Sequence, residues 1–243
     1  MKFSYSLGSW ITLNHLSVAE IMADAGFEWL CVDLEHSVTD YAEAQQLIMA
    51  IQSKGIKAFV RVGSNNPRII KRVLDAGADG IIVPSVNSAQ EARDAADAVR
   101  YPPTGKRGVG LARAQGYGFD FENYLDRKAK SIKLIVQIEH IDAIKELDKI
   151  IEVDGVDGTF IGPYDLSGSL GKPGQWDEPD VADAINQYES IAKRYDKLMG
   201  FHVVSPDYQV VLDKISKGYN FIAFNFDAYF LGQTIREQLK HLK

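Results

Sequence analysis

The chain alternates between short apolar runs and longer stretches in which apolar residues recur at helical spacing. Near-continuous apolar runs predict strands at residues 6–11, 29–34, 57–62, 80–84, 133–138, 158–161, 200–204 and 221–226. Strands that are buried on both faces of a parallel sheet lack polar alternation, which fits these runs. Amphipathic stretches predict helices at residues 18–25, 41–54, 67–76, 89–99, 121–130, 141–151, 180–195, 207–217 and 228–242.

Residues between these elements support the assignment. Ser88 and Glu91 form a capping-box pattern at the start of a predicted helix. Glycines that suit the left-handed position after a helix follow several predicted helices: Gly26, Gly55, Gly77 and Gly218. Turns therefore fall where helix-to-strand connections are expected.

The alternation of strand and helix predicts one α/β domain over residues 1–243, a (β/α)8 or TIM barrel. The chain length is close to the typical size of such a barrel. It is also long enough to bury a large core without a disulfide or a structural metal. No glycine-rich dinucleotide loop follows the first strand, which disfavours a Rossmann fold. The last helix carries an apolar stripe that suits either packing on its own barrel or contacts between subunits.

Two long connections interrupt this pattern, at residues 100–120 and 166–179. Loops of this length in a compact barrel are usually functional or packed against a neighbour. The first contains Arg107, Arg113 and Tyr117, and the second contains Trp176. We expect both to emerge on the active face, where they could cover the site, and we expect the first to bridge to another subunit. Rigid surface loops are the alternative.

Composition narrows the class of protein. The net charge of −6 and the lack of a basic stripe argue against nucleic-acid binding. No run reaches the roughly 20 apolar residues of a membrane span, and the stretch from Met1 to Ser6 lacks the features of a secretory leader. Cys31 is the single cysteine and lies in an apolar run, so we expect a buried, reduced core residue. These features predict a cytoplasmic protein that binds neither nucleic acid nor membrane.

Charged side chains lie at or just beyond the ends of several predicted strands. Because the carboxyl ends of barrel strands meet at one face, where the active site lies, these side chains are expected to converge. The residues that share this placement are His36, Arg61, Glu139 and Asp165. Together they predict a metal-assisted site for a small acidic molecule.

Glu139 and Asp165 follow consecutive strands and are the candidate metal ligands. Two carboxylates with room for water suit Mg²⁺ or Mn²⁺, which prefer hard oxygen ligands. The alternative is an Asp that caps the following loop and a solvated Glu. No His-rich or Cys-rich spacing offers a competing zinc site.

The other polar candidates have two interpretations each. Arg61 would be costly to bury without an anionic partner, so it either pairs with a carboxylate of the protein or holds a substrate carboxylate or enolate through its planar fork. His36 follows Asp33 by three residues, and a carboxylate that orients the imidazole makes a general base. A polar surface histidine is the alternative. His202 lies inside an apolar strand, which is typical of a hydrogen-bonded core histidine, with lining of the barrel mouth as the alternative.

Several stretches match one known family in their order and spacing. They are Val32-Asp33-Leu34-Glu35-His36, Val60-Arg61-Val62, Tyr101-Pro102-Pro103 with Arg107-Gly108-Val109, Val136-Gln137-Ile138-Glu139, and Gly155-Val156-Asp157-Gly158 with Phe160-Ile161-Gly162-Pro163-Tyr164-Asp165-Leu166-Ser167. Over nearly the whole chain the sequence resembles the HpcH/HpaI family, class II pyruvate aldolases that depend on a divalent metal ion.

The resemblance implies a barrel that usually assembles into a hexamer and binds a divalent metal ion, Mg²⁺, Mn²⁺ or Co²⁺, through Glu139 and Asp165. It further implies that Gln137, Gly162 and the backbone at Tyr164 and Asp165 bind pyruvate. The implied reaction joins or separates a 2-oxo acid and an aldehyde.

The resemblance also implies roles for the remaining polar residues. His36 would be the base, oriented by Asp33, and Arg61 would stabilise the transition state. An Asp that matches Asp75 is credited in the family with raising the basicity of the site histidine. We expect Asp75 at the end of a helix on the bottom of its own barrel, so it could reach a site only in another subunit. A simple turn residue is the alternative.

The chain departs from the family pattern at three places. Leu34 stands where glycine is usual, and Tyr164 stands where a small residue is usual. The stretch Asn225-Phe226-Asp227-Ala228-Tyr229-Phe230 replaces a region richer in glycine and small residues. The strand ends contain no lysine placed to form a Schiff base, which disfavours a class I aldolase. A citrate-lyase-like enzyme that acts on acyl thioesters, or a catalytically silent binding protein, are the alternatives.

Overall fold

The computed structural model describes residues 5–242 as a closed barrel of parallel strands. Each strand pairs with its neighbour in sequence, and the last strand pairs with the first. The predicted (β/α)8 barrel is therefore confirmed. The strands are β1 Ser6–Ile11, β2 Trp29–Asp33, β3 Lys57–Arg61, β4 Gly80–Val83, β5 Lys133–Ile138, β6 Gly158–Ile161, β7 Leu198–Val203 and β8 Phe221–Phe226. Residues 1–4, on which much of the leader prediction rests, lie outside the described residues.

Helices connect the strands and form the outer layer. The predicted capping box of Ser88 and Glu91 is present, and a second one joins Asp40 and Glu43. The helices are α1 Leu16–Asp24, α2 Tyr41–Ser53, α3 Pro67–Asp75, α4 Ala89–Val99, α5 Phe121–Asn123, α6 Ala129–Ser131, α7 Ile141–Lys145, α8 Leu147–Ile151, α9 Pro163–Ser169, α10 Pro179–Ala192, α11 Tyr208–Ser216 and α12 Asp227–Lys240.

Some predicted boundaries are wrong. The helix predicted at 121–130 is broken into α5, a π-helical turn at Tyr124–Lys128, and α6. The helix predicted at 141–151 is interrupted at Glu146, where the backbone leaves helical geometry. The strand predicted at 200–204 begins earlier, because Leu198 and Met199 already pair with β6.

Aromatic side chains fill the inside of the barrel. Trp29 and Phe221 stack with ring centroids 4.2 Å apart, and Phe59 packs beside them. Glycines on neighbouring strands make room for these rings: a Cβ on Gly8 would lie 2.0 Å from the Trp29 ring. Cys31 is fully buried in this layer, as expected. The barrel interior is therefore a packed core, and its chemistry is confined to its ends.

The long connection at residues 100–120 lies on the opposite face from the strand ends, and its predicted placement over the active face is wrong. Arg107 pairs with Asp75 at 2.7 Å, at the end of α3. Arg113 donates to the carbonyl of Ala76 and to Gln52 near the end of α2. Because α4 stands between β4 and this segment, the chain has already returned to the amino-terminal end of the barrel.

The second long connection stays at the carboxyl end of the strands. Its first part is α9, which begins two residues after β6, and its later part places Trp176 edge-on against Tyr164, with centroids 5.0 Å apart. Part of the predicted loop is thus helical, but its position near the barrel mouth agrees with expectation.

The last helix, α12, is partly packed and partly open. Phe230 packs against Phe224 of β8, whereas Leu231, Ile235 and Leu239 are exposed. The apolar stripe predicted for this helix is therefore only partly buried against its own barrel. Within the described residues, none of the helices has both the length and the apolar character that a membrane crossing requires.

Candidate active site

The polar residues predicted at the strand ends meet at the mouth of the barrel, around two adjoining cavities. One cavity, of about 260 Å³, is lined by residues that include Glu35, His36, Ser85, Glu139 and His140; we call it the polar cavity. The other, of about 90 Å³, is lined by residues that include Trp10, Arg61, Gln137, Tyr164, Trp176 and His202; we call it the aromatic cavity. Asp165 lines both, so the two cavities form one site.

Asp33 and Arg61 form a buried ion pair at the centre of this mouth. The two residues are register partners on β2 and β3, so their side chains lie next to each other on the inner face. Arg61 donates from Nε to Asp33 Oδ1 at 2.9 Å and from Nη2 to Oδ2 at 2.6 Å. Burial by itself would raise the pKa of Asp33, but the hydrogen bonds and the charge of Arg61 outweigh it and hold that pKa below its ordinary value. The guanidinium also lies 4.5 Å from the centre of the Trp10 ring.

The expected contact between Asp33 and the His36 imidazole is not formed. Asp33 Oδ1 instead accepts hydrogen bonds from the backbone N–H groups of Glu35 at 3.0 Å and His36 at 3.3 Å. The His36 side chain is 67% exposed, and its Nε2 lies 3.7 Å from Glu35 Oε2. Since Arg61 and these amides occupy the carboxylate, Asp33 positions the loop that carries His36 rather than its imidazole.

Glu139 is held at the end of β5 by three donors. Ser85 donates to Glu139 Oε1 from its backbone N–H at 2.6 Å and from its hydroxyl at 2.9 Å, and Gln137 Nε2 donates to Oε2 at 2.9 Å. Ser85 has a φ of 54°, an uncommon left-handed conformation for a residue other than glycine. That conformation lets both donors of Ser85 reach the same oxygen, which fixes the direction of the Glu139 carboxylate.

Gly162 makes room for this carboxylate. A Cβ at position 162 would lie 2.9 Å from Glu139 Cβ and 3.0 Å from its Oε2. A side chain here would therefore displace Glu139. The sequence predicted Gly162 as a site residue, and its geometry gives it a steric role beside the carboxylate.

The charges at the mouth suit a hard divalent cation. Burial raises the pKa of Glu139, the hydrogen bonds from Ser85 oppose this shift, and the negative charge of Asp165 adds to it. The amide oxygen of Gln137 is buried and has no hydrogen-bond partner within residues 5–242. No group of three or more His, Cys, Asp or Glu side chains in the described part of the chain is arranged to hold a metal. Two carboxylates fit an ion such as Mg²⁺, which keeps several water or substrate ligands.

Asp75 lies at the opposite end of the barrel from this site. It is the last residue of α3, and its carboxylate accepts hydrogen bonds from Arg107 and Gln115. The Arg107 side chain is fully buried and lies over the Tyr101 ring, 4.6 Å from its centre. Within one chain, Asp75 therefore belongs to a structural cluster at the amino-terminal end of the barrel, as its predicted position required.

Several residues of the mouth had no single role predicted from the sequence. Glu35 lies 3.3 Å from Arg61 Nη1, and burial raises its pKa. Ser85 follows a proline at the end of β4, a signal too common to identify it. Trp176 and His202 line the aromatic cavity, and His202 Nε2 also lies 3.3 Å from the backbone oxygen of Asn225. His202 is therefore a hydrogen-bonded histidine, as expected, that also lines the mouth.

Comparisons with known proteins agree on one family. The model of the HpcH/HpaI aldolase/citrate lyase family matches residues 6–232. A protein of Sagittula stellata described as a hydroxypyruvate/pyruvate aldolase is 41% identical over 223 residues, which are 91% of this chain and 87% of that protein. A 2-keto-3-deoxy-L-rhamnonate aldolase of Klebsiella pneumoniae is 37% identical over 240 residues, which are 98% of this chain and 88% of that protein.

Solved structures point the same way. A HpcH/HpaI aldolase/citrate lyase family protein from Burkholderia cenocepacia superimposes with a TM-score of 0.92 at 31% identity, and the match covers 98% of this chain and 95% of that one. A HpcH/HpaI aldolase from Desulfitobacterium hafniense gives a TM-score of 0.89 at 27% identity, covering 99% and 93% of the two chains.

Proposed function

The chain belongs to the HpcH/HpaI aldolase/citrate lyase family, and from this premise we propose that it is a pyruvate aldolase that depends on a divalent metal ion. At the coarser level it is a carbon–carbon lyase of the pyruvate aldolase type, as its relatives are described. The observation that carries the finer proposal is the buried carboxylate of Glu139 beside Asp165 and Arg61 in one barrel mouth.

Glu139 and Asp165 would hold the metal ion, Mg²⁺, Mn²⁺ or Co²⁺. A bound divalent ion supplies Lewis-acid polarisation of a carbonyl oxygen and neutralises developing negative charge. The raised pKa of Glu139 supports this assignment, because the cation would stabilise a carboxylate that is otherwise costly to keep charged in a buried site.

The substrate would be a 4-hydroxy-2-oxo acid, or pyruvate and an aldehyde in the reverse direction. Gln137 offers an amide oxygen without a partner among the described residues, and Arg61 keeps N–H groups beyond the two that bind Asp33. Backbone N–H groups at Tyr164 and Asp165, in the first turn of α9, have no intrahelical partner. The N–H groups of Arg61 and of this turn suit the carboxylate and the 2-oxo group of the acid, whereas the Gln137 oxygen, which can only accept, suits a hydroxyl group of the acid. Gly162 keeps the space beside Glu139 open.

In the cleavage direction the bond between C3 and C4 breaks. The C4 hydroxyl gives up its proton and becomes the aldehyde carbonyl, while the electron pair of the broken bond forms the enolate of pyruvate. Protonation at C3 then yields pyruvate. Arg61 is held rigidly by Asp33, so its charge is in place before the enolate forms, which is the arrangement that stabilises a transition state most effectively.

His36 is the proposed acceptor of the C4 hydroxyl proton. It lines the polar cavity with Glu139 and Asp165, and Glu35 lies beside its Nε2. Asp75 from a neighbouring copy would complete the site, so we propose a homo-oligomer, a hexamer as in the family, with the exposed stripe of α12 available for contacts. The proposed compartment is the cytoplasm.

Supplying purified protein with 4-hydroxy-2-oxo acids of increasing length, with Mg²⁺, Mn²⁺ or Co²⁺, and detecting pyruvate tests the proposal. We expect pyruvate from at least one short hydroxylated acid. A protein that releases no pyruvate with any metal, but cleaves a hydroxyacyl thioester, would instead be the citrate-lyase-like alternative. A protein that does neither and binds no metal by calorimetry would be a silent barrel.

A further inference from the structure

A further cleft lies outside the barrel, between helices α3 and α4 and the chain segment that follows α4. Its volume is about 530 Å³, which falls within the range of roughly 300–1,000 Å³ that is usual for small-molecule sites. We call it the helix cleft, and its charged lining residues are Arg68, Lys71, Asp94, Asp97, Lys106 and Arg107. Among residues 5–242, it shares no lining residue with either cavity of the mouth.

The wall formed by α3 carries two cations without a carboxylate partner. Arg68 and Lys71 are three residues apart, so they lie on the same side of the helix. Neither forms an ion pair with any residue of the described chain, whereas Lys106 pairs with Asp97 at 2.7 Å. Lys71 is half-buried and lies over Gly108, where a Cβ would be 3.6 Å from its Cδ and 3.7 Å from its Nζ. A half-buried charge without a partner is costly unless an anion compensates it.

Arg107 is the most deeply buried cation of the helix cleft. Its side chain is fully buried, Nη1 donates to the hydroxyl of Tyr124 at 2.9 Å, and Nη2 donates to Asp75 at 2.7 Å. The remaining nitrogen, Nε, is also buried and has no hydrogen-bond partner within residues 5–242. Buried polar groups in native proteins nearly always have a partner. Since both Nη groups are engaged, Nε is the donor that remains for a molecule in the cleft.

The carboxylates of the helix cleft do not cancel its positive charge. Asp97 is neutralised by Lys106. Asp94 has no cationic partner in the described part of the chain, but its single charge is opposed by those of Arg68 and Lys71. The cleft is therefore positive on a chain whose net charge is −6. Such a contrast favours an anionic ligand.

The donors suit a phosphate group better than a carboxylate. Arg68 and Lys71 line the cleft from α3, and Arg107 lines it from the segment after α4. A carboxylate presents two oxygens in one plane, whereas a phosphate monoester presents three acceptor oxygens and carries a charge of about −1.5 to −2 at pH 7. Its hydrogen bonds to ammonium and guanidinium groups are the strong, charge-assisted kind. The cleft is larger than a phosphate group needs, and Pro67 and Ala98 offer apolar surface to a compact organic group.

We propose that the helix cleft binds a small phosphate monoester, whose phosphate group is held by Arg68, Lys71 and Nε of Arg107. The site goes beyond the proposed aldolase function and does not depend on it, because the two sites are lined by different residues.

Titration calorimetry of the purified protein at constant ionic strength tests the proposal with three probes: inorganic phosphate, glycerol 3-phosphate and glycerol. We expect both phosphates to bind, glycerol 3-phosphate more tightly, and glycerol not to bind. Lys71→Met should weaken the binding of both phosphates about tenfold or more, as the loss of one charge-assisted hydrogen bond predicts. Asp94→Asn removes the unpaired negative charge of the cleft and should tighten binding.

Lys217→Met is the matched control. Lys217 follows α11 and pairs with Asp213 at 3.0 Å, away from the helix cleft. This variant loses the same charge from the protein and should bind both phosphates as the wild type does. Equal weakening in Lys71→Met and Lys217→Met would show that net charge alone attracts the anion, and it would overturn the proposal.

Two other results would also overturn the proposal. One is a folded wild-type protein that binds neither phosphate. The other is binding that is unchanged in Lys71→Met, which would mean that the anion binds elsewhere, as at the mouth. If Lys71→Met does not fold, Lys71→Gln makes the same comparison. Pyruvate release is measured separately, so a protein without aldolase activity can still bind phosphate at this cleft, and an active aldolase can lack the site.

Discussion

Replacing Asp33 with Asn should both destabilise the barrel and disable its mouth. The Asp33 carboxylate accepts two hydrogen bonds from Arg61 and one each from the backbone N–H groups of Glu35 and His36, and its side chain is 3% exposed. Asn keeps one acceptor oxygen and places an amide N–H₂ against the guanidinium. Removing one partner of a buried ion pair costs about 3–5 kcal/mol. In the variant, Arg61 still has the Glu35 carboxylate as an anionic partner, with Nη1 and Oε2 3.3 Å apart. We therefore expect the free energy of unfolding to fall by about 2–3 kcal/mol.

For a chain of 243 residues this loss corresponds to a decrease in Tm of roughly 4–12 °C. Displacement of Arg61 by about 1 Å should also lower kcat/KM by about 10²-fold. Urea unfolding gives the first quantity, and pyruvate release gives the second. The matched control is Asp157→Asn: Asp157 pairs with Arg100 at 3.2 Å, away from the mouth, so this variant should lose stability but keep kcat/KM.

The pH dependence gives a third check. The folded-state pKa of Asp33 is lowered, so its contribution to stability is present above its unfolded pKa and is lost as pH falls through the folded value. The difference in unfolding free energy between wild type and Asp33→Asn should therefore be constant near neutral pH and shrink below about pH 4. A variant as stable and as active as the wild type at pH 7 would refute the structural reasoning about this pair.

Further predictions concern the other site residues and the assembly. Arg61→Lys keeps the charge but loses the planar fork that binds Asp33, so kcat should fall. A variant with wild-type kinetics would show that the reaction does not need the guanidinium fork. His36→Ala should lower kcat by about 10²–10⁴-fold with a smaller change in metal affinity. An unchanged kcat would mean that another group is the base. Light scattering should give a multiple of 27.0 kDa, and a mass of 27.0 kDa itself would remove Asp75 from the site.

The sequence identified the barrel and much of its mouth because both depend on local pattern. Buried parallel strands are uniformly apolar, so a charged residue at the end of such a run stands out, as Glu139 and Asp165 do. The register between neighbouring strands cannot be read from such a local pattern. The fork between Asp33 and Arg61 follows from their pairing across β2 and β3, and the His36 imidazole lies beside Glu35 instead of Asp33.

Other features depend on backbone conformation or on the path of the chain. The positive φ of Ser85 and Asn225 directs hydrogen bonds to Glu139 and His202, yet neither residue type requires that conformation. The placement of residues 100–120 was wrong because the intervening helix α4 reverses the direction of the chain before the loop begins. The position of a loop in a barrel is set by whether it follows a strand or a helix.

Metal removal and restoration test the central claim most directly. Pyruvate release from the preferred 4-hydroxy-2-oxo acid is measured in untreated protein, after treatment with a chelator, and after addition of excess Mn²⁺. Wild-type protein should lose activity with chelator and regain it with Mn²⁺, whereas Glu139→Gln, which removes one of the two carboxylates at the mouth, should stay inactive at the same Mn²⁺ concentration. Full activity of the wild type in excess chelator would contradict a metal-dependent aldolase.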